Sequence, residues 1–457
     1  MYTDGMASSL NAEKGCVMAK PTCSPSTAED GDEKPATTLT VPAAQGSVDG
    51  GTRAWLQVAG SFIVFGNLWG MTFAFGTFQS YYELTYLPSS DASTMSWIGT
   101  ICTFLLILGG IASGPLFDWG YFRSMLIIGA LVETLSVFLL SLCSEYYQIL
   151  LTQGILAGLG NGLLYIPGLA LVGRAFKKHR AIAMGITTCG APVGGIIYTL
   201  MFERLINIMS FGWTVRIMGF VMLASYSIAF PLILWRAGNV GDISSGQARK
   251  LFDKTAFKDL PFWCYTTSNF LIFCGYMVPF YYMASYGQLE LGMNRSDANY
   301  VIIYAQAASI IGRLVASFAA SRVGVMIPWT ICAVSSGIFC IAWIGVRTPG
   351  AFIAYAVLYG CFSGALIPLP PSVFPTVCPD VKVLGARLGM AQGIGSFASL
   401  IGSPIAGALI SINSHGGSRN YLGLQLFGGL IMAAGGGNLV ILWILLIRQR
   451  ELTSKLI

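Results

Sequence analysis

The chain of 457 residues is 54% hydrophobic and only 10% charged, whereas soluble domains carry about 25% charged residues. So few charged side chains cannot cover the surface of a soluble protein of this size, which excludes a water-soluble enzyme, a disordered chain and a nucleic-acid binder. The net charge is +6, from 26 basic and 20 acidic residues. The composition therefore predicts a polytopic membrane protein.

The first 50 residues differ from the rest of the chain. They are rich in Ser, Thr, Ala and Pro and show no apolar periodicity. No secretory signal peptide fits there, because no apolar core follows a basic start. We predict that residues 1–50 form a disordered cytoplasmic tail, and a tether and a regulatory segment fit this composition equally well.

Twelve apolar segments follow, each long enough to cross the ~30 Å hydrocarbon layer as a helix. Ten contain no acidic or basic residue, and two are interrupted by a single charge. Six lie in residues 51–236 and six in 260–447, separated by a polar cytoplasmic loop at 237–259 and followed by a cytoplasmic tail at 448–457. Numbered in chain order, spans 1 to 12 are 54–82, 92–117, 124–144, 146–173, 181–202, 217–235, 260–289, 298–321, 323–346, 348–379, 388–418 and 420–447.

The distribution of Lys and Arg predicts the orientation, because cytoplasmic loops of membrane proteins carry an excess of both. If both ends lie on one side, that side receives 20 basic residues and the other five, with Arg313 inside the membrane. We therefore expect a multi-pass plasma-membrane protein with both termini in the cytoplasm. Asn294 begins an Asn-Arg-Ser sequon on the predicted outer side and is a candidate glycosylation site.

Short sequences recur about 200 residues apart, which indicates an internal repeat. Residues 112–120 at the end of span 2 match 316–324 at the end of span 8, and 162–167 match 364–368. Two six-helix halves predict a substrate site at their interface near the middle of the membrane, open alternately to each side. The expected fold is all-α, with twelve transmembrane helices in two pseudo-symmetric six-helix bundles.

Four motifs resemble a known family. Residues 114–123 read Gly-Pro-Leu-Phe-Asp-Trp-Gly-Tyr-Phe-Arg between spans 2 and 3, and 49–55 contain Asp-Gly-Gly and Ala-Trp before span 1. Residues 175–185 open span 5, and Gly312 precedes Arg313 in span 8. These features resemble the major facilitator superfamily and, within it, the fungal branch of the monocarboxylate porters. The resemblance implies a carrier of carboxylates, vitamins or secondary metabolites.

Two positions depart from the pattern of the proton-coupled carriers in that family. Those carriers have a lysine deep in span 1 and an aspartate one turn before the arginine of span 8. Here residues 71–76 read Met-Thr-Phe-Ala-Phe-Gly, and Ser309 stands at the second position. The missing pair counts against proton symport of a small monocarboxylate and favours a larger solute.

Arg313 is the first candidate for substrate binding. An ionised guanidinium in hydrocarbon costs at least about 2.5–3.5 kcal/mol, so it is expected to face a cavity, protein or an anion. One interpretation is a fixed cation that binds a carboxylate in a bidentate contact, and the other is a hydrogen-bond hub for backbone carbonyls. Polar residues recur at helical spacing on the same span: Asn299, Gln306, Ser309, Arg313 and Ser317.

Other spans carry polar or aromatic faces that suit a bulky, partly apolar solute. From spans 4, 7, 10 and 11 we take as further substrate-binding candidates Asn161, Tyr165, Asn269, Tyr276, Tyr359, Ser363 and Gln392. Each of these side chains alone has helix packing as its ordinary role. Four spans with such a face together predict a cavity.

Three charged residues are candidates for coupling and gating. Asp118 and Arg123, between spans 2 and 3, are predicted to latch the halves together on the cytoplasmic side, together with the basic run before span 5. Orientation alone is the alternative role of that basic run. Glu133, inside span 3, is a candidate proton carrier, and a neutral or hydrogen-bonded structural acid is the alternative.

The sequence thus predicts a secondary transporter that moves an organic, carboxylate-bearing solute across the plasma membrane by alternating access. An exporter of an acidic secondary metabolite fits best. A proton-coupled importer of a small monocarboxylate and a non-transporting nutrient sensor with a transporter fold stay open. The expected partners are an anionic organic solute and the lipid bilayer. We expect no catalytic residue, metal, cofactor, ATP or nucleic acid.

Overall fold

The computed structural model describes residues 51–88, 90–176, 180–237, 252–378, 380–412 and 420–455. These residues belong to one compact unit, Gly46–Ile457, and are built of helices and turns without a strand. The tail predicted for residues 1–50 and most of the loop predicted at 237–259 lie outside the described residues.

Each predicted span corresponds to one helix or to consecutive helical segments. In chain order they are Thr52–Tyr81 with the π-helix Tyr82–Tyr86; Ala92–Asp118; Phe122–Leu140; Tyr146–Ile149, the π-helix Leu150–Leu156 and Ala157–Ala175; Arg180–Ile206; Phe211–Ala237; Leu260–Tyr276 and Val278–Leu289; Arg295–Val323; Met326–Ala342; Pro349–Gly364 and Leu369–Val377; Val381–Ile412; and Leu422–Lys455. Short 3-10 helices occur at Lys254–Lys258 and Trp343–Gly345.

Eleven helices of the described chain are long and apolar enough to cross a membrane, which confirms an all-α polytopic membrane protein. Span 7 is the exception, because it breaks at Met277 into helices of 17 and 12 residues. Pro279 explains the break, since proline lacks an N–H and its ring clashes with the preceding helical turn. The single helix predicted at 260–289 is therefore wrong, and two half-helices take its place.

The start of span 6 also differs from the prediction, which began the apolar segment at residue 217, directly after Arg216. That arginine lies inside the helix Phe211–Ala237. Its Nε donates to the Ser141 hydroxyl at 3.1 Å, and its guanidinium carbon lies 5.1 Å from the centre of the Trp213 ring. These contacts stabilise the charge near the helix end. At the other end of the chain, the helix of span 12 continues to Lys455, into the predicted tail.

Glycine contacts pair the helices in the same way in both halves. A Cβ on Gly194 of span 5 would collide with the backbone of Gly66 in span 1, and one on Gly402 of span 11 would collide with the backbone of Cys274 in span 7. Spans 8 and 10 meet by an equally close glycine contact, and spans 2 and 4 by a looser one. Small residues let membrane helices approach closely, so the repeated sequences correspond to repeated packing.

Candidate functional site

Arg313 lies at the seam between the two halves and has only 1% of its surface exposed. Its Nε donates to the carbonyl oxygen of Gly364 in span 10 at 3.1 Å. Its Nη1 donates to the carbonyl oxygen of Thr188 in span 5 at 2.6 Å. Two of its three nitrogens therefore donate to backbone carbonyls, one from each half, in agreement with the interpretation as a hydrogen-bond hub.

The third nitrogen of this guanidinium has a different environment. Nη2 of Arg313 and the Tyr276 hydroxyl face each other, and neither makes a hydrogen bond of normal geometry to any residue that the structure describes. The Phe73 ring lies 5.7 Å from the guanidinium carbon, within cation–π distance. Burying a polar group without a hydrogen-bond partner costs about 1–3 kcal/mol. An anionic oxygen placed here would accept from both donors and remove that cost.

A series of aromatic rings passes the guanidinium and crosses from one half to the other. Neighbouring ring centres are 5.5 to 6.3 Å apart. The series runs from Tyr165 through Trp69, Phe73 and Phe280 to Tyr276 and Tyr359. All of these rings except Tyr165 are at most 2% exposed, so in this conformation they pack against one another. A flat organic solute reaches their π-surface only when the rings separate. We call these six rings the aromatic track.

The sequence named three of the six rings of the aromatic track and missed the other three. The missed rings are Trp69 and Phe73 on span 1 and Phe280 on span 7. Apolar aromatic side chains inside a hydrophobic span carry no pattern that separates a cavity wall from packing. The one available signal was Pro279, because broken transmembrane helices are tolerated where they are buried in protein or line a cavity.

The other substrate-binding candidates divide into separate groups. Asn269 donates to the Gln392 side chain at 3.1 Å, so these two predicted residues form a pair between spans 7 and 11. The Tyr359 hydroxyl donates to the Tyr276 carbonyl at 2.8 Å and supports the broken span 7. Ser363 is buried on span 10, and its hydroxyl has no hydrogen-bond partner.

Asn161 belongs with Glu133 rather than with Arg313. Turned so that its nitrogen faces the carboxylate, the Asn161 amide donates to both Glu133 oxygens at 3.0 and 3.2 Å. The Tyr226 hydroxyl donates to the same carboxylate. A cavity of about 30 Å³ adjoins this group, with Cys102 in its lining. Glu133 is thus a hydrogen-bonded buried acid whose partners come from other spans, and proton transfer there stays a prediction.

The predicted latch residues lie at the end of span 2 and the start of span 3. Asp118 is half-buried, while Arg123 is exposed with its guanidinium carbon 5.9 Å from the Phe122 ring centre. The side chains of the basic run before span 5 lie outside the described residues. The cytoplasmic latch therefore stays a prediction.

A buried glutamate joins the halves at the end of the bundle opposite the chain termini, which we call the distal end. Glu203 on span 5 is 1% exposed and accepts hydrogen bonds from Ser296 at 2.7 Å and Asn299 at 2.6 Å, both on span 8. Arg295 Nε lies 3.6 Å from the same carboxylate. Asn294 is exposed, but the hydroxyl that completes its sequon is bonded to Glu203.

Two further side-chain contacts close the distal end between spans 1 and 7. Ser285 donates to the buried Glu83 carboxylate at 2.9 Å, and Gln288 donates to the Ser80 hydroxyl at 2.7 Å. With the Glu203 contacts, these bonds form what we call the distal gate. The sequence did not predict the distal gate, because both glutamates stand at span ends, where acidic residues are usually exposed to water. The halves are therefore in contact at the distal end in this conformation.

Comparison with known proteins gives several matches. A family model described as Major Facilitator Superfamily matches residues 54–350. An MFS-type transporter of Aspergillus niger is 36% identical over 386 residues, 84% of this chain and 88% of its own. The aspyridones efflux protein of Emericella nidulans is 35% identical over 389 residues, 85% of this chain and 77% of its own. The agnestins efflux protein of Paecilomyces divaricatus is 35% identical over 406 residues, 89% of each chain.

Proposed function

The chain belongs to the major facilitator superfamily, and from this premise we propose that it exports an acidic, aromatic secondary metabolite across the plasma membrane by alternating access. Family membership makes it a multi-pass membrane transporter of a small molecule and not an enzyme. Two relatives carry the name efflux protein, for aspyridones and for agnestins, which supports export over the nutrient-sensor alternative. The proposal that the solute is anionic rests on the groups around Arg313.

The observation that carries the proposal is the buried pair of Arg313 Nη2 and the Tyr276 hydroxyl, which face each other and make no hydrogen bond of normal geometry to the described residues. In this conformation these two groups, rather than a bidentate guanidinium edge, are the donors for an anionic oxygen, because Nε and Nη1 are occupied. The aromatic track beside them receives the flat body of the solute when its packed rings separate. A hydrogen bond to a charged group contributes about 1.5–3 kcal/mol, equivalent to about 10- to 100-fold in affinity.

Proton-coupled transport is the second candidate, and the Glu133 group supports it. A carboxylate that accepts from Tyr226 and Asn161 in a buried cavity is a group that can hold a proton or release one as its donors move. Proton coupling concerns the energy source for transport rather than the identity of the solute. It is therefore compatible with export of the solute in exchange for protons.

Transport in proteoliposomes tests the role of Arg313. A panel of labelled aromatic carboxylic acids is screened for uptake with wild type, Arg313→Gln and, as a matched control, Arg322→Gln. Arg322 is an exposed arginine at the C-terminal end of the same helix, with its guanidinium carbon 5.3 Å from the Phe318 ring centre. We expect Arg313→Gln to lose at least tenfold in uptake and Arg322→Gln to match wild type.

The thermal unfolding midpoint of each purified variant separates function from folding. If Arg313→Gln unfolds like wild type and transports every accepted acid at the wild-type rate, the guanidinium does not bind the solute. If Arg313→Gln does not fold, Tyr276→Phe replaces it. That variant removes only the unpartnered hydroxyl and is expected to weaken uptake by a smaller factor.

A further inference from the structure

Gln306 on span 8 is a buried amide without a hydrogen-bond partner among the described residues. It is 1% exposed, and neither its nitrogen nor its oxygen makes a hydrogen bond within that part of the chain. An amide carries two donors and an acceptor with two lone pairs, so leaving both ends unmet is costly in a packed interior. Packing alone would favour leucine or methionine at this position. Gln306 also shares its helix face with Arg313, and the unmet amide and this position together point to a ligand.

Gln306 and Arg313 lie on the same face of one helix. They are seven residues apart, which is two helical turns and about 10 Å along the axis. Phe73 of the aromatic track lies near both: a Cβ on Gly195 of span 5 would lie 3.1 Å from both the Gln306 amide and the Phe73 Cβ. The ring of that same phenylalanine lies against the Arg313 guanidinium.

Gly195 of span 5 faces the Gln306 amide. A side chain at this position would lie 3.1 Å from the amide carbon and 3.1 Å from the amide nitrogen, tighter than ordinary contact. The amide is buried, and on this side it is covered only by a glycine, which adds no side chain over it.

We infer that Gln306 is a second polar anchor of the transport site, which selects solutes that carry an amide or similar donor–acceptor pair about 10 Å from their anionic group. The inference rests on the proposed function, since Arg313 holds the anionic end. An amide is the complement of an amide, because each offers a donor and an acceptor side by side. Phe73 of the aromatic track lies between the two ends.

Binding of two matched probes to the purified protein tests the inference. 4′-Carbamoylbiphenyl-4-carboxylate carries a carboxylate and an amide at opposite ends of two rings, and biphenyl-4-carboxylate lacks the amide. We expect wild type to bind the carbamoyl acid about tenfold more tightly, the effect of two net hydrogen bonds. 4-Carbamoylbenzoate, in which the two groups stand too close together, gains nothing over benzoate.

Gln306→Leu and Gln79→Leu are the matched variants. Gln79 on span 1 is also a fully buried glutamine whose amide has no partner. We expect Gln306→Leu to bind both biphenyl acids with equal affinity. That affinity is expected to equal the affinity of wild type for biphenyl-4-carboxylate. Gln79→Leu keeps the tenfold preference. Gly195→Ala reduces the preference, because its methyl group crowds the Gln306 amide.

The outcomes separate the two proposals. A preference that survives in Gln306→Leu, or that is missing in wild type, overturns the amide anchor and leaves the role of Arg313 standing. Affinities for both acids that are unchanged in Arg313→Gln overturn the proposed function instead. If wild type binds neither biphenyl acid, the paired arrangement of both anchors is refuted.

Discussion

Replacing Glu203 with alanine is expected to open the distal gate. The carboxylate accepts two hydrogen bonds from span 8, at 2.7 and 2.6 Å, and lies 3.6 Å from Arg295 Nε. Each hydrogen bond to a buried charge contributes about 1.5–3 kcal/mol, so the distal-closed state loses about 3–6 kcal/mol relative to the open state. A shift of about 5.5 kcal/mol changes a population ratio from 99:1 to 1:99.

Amide hydrogen exchange followed by mass spectrometry measures this opening. We expect faster exchange in Glu203→Ala at the distal helix ends, around residues 203–210 and 290–300, with unchanged exchange at the opposite ends. Glu203→Gln keeps an acceptor for Ser296 and is expected to fall between alanine and wild type. Glu290→Ala is the matched control, because Glu290 is an exposed glutamate at the same end. Equal exchange in Glu203→Ala and wild type would refute the gate.

Two further predictions concern charged groups on other parts of the chain. Hydrogen bonds from Thr255 and the Arg387 guanidinium, with Arg387 Nε 2.7 Å from the carboxylate, lower the pKa of Asp253 to about 2. A depressed pKa adds stability above the unfolded value and loses it as the pH falls through about 2. Asp253→Asn is therefore expected to lower the thermal midpoint equally at pH 5 and pH 8, and a difference confined to pH 8 would contradict this. Glu133→Gln is expected to reduce pH-gradient-driven transport at least tenfold while solute exchange continues, measured in proteoliposomes; gradient-driven transport at the wild-type rate would exclude Glu133 as the proton carrier.

The sequence predicted the architecture well because hydrophobic length and charge placement are local properties. Eleven spans and the repeat of two halves follow from them. Pro279 alone does not predict the break in span 7, because the helices of other spans continue through their prolines, such as Pro192 and Pro404. Whether a proline breaks a membrane helix depends on which neighbours satisfy the freed backbone groups, and these belong to other spans.

The site was predicted in part, for the same physical reason. Helical spacing identified one polar face on span 8, which includes Asn299, Gln306 and Arg313. The structure divides that face into a gate contact, an unpartnered amide and a guanidinium that serves both halves. Spacing shows which side chains share a face but not what lies opposite. Asn161 was therefore assigned to the solute, although its partner is Glu133.

The division of the polar face of span 8 explains how the protein can open without losing its binding site. Asn299 is 14 residues from Arg313, so the distal gate lies about 21 Å from the guanidinium. If the halves rotate about the level of Arg313 by about 15°, the gate moves by about 5 Å and its hydrogen bonds break. The Arg313–Thr188 bond, close to the axis, hardly moves. A guanidinium that donates to both halves can thus hold the solute site together in either state, while the distal glutamates separate from their donors.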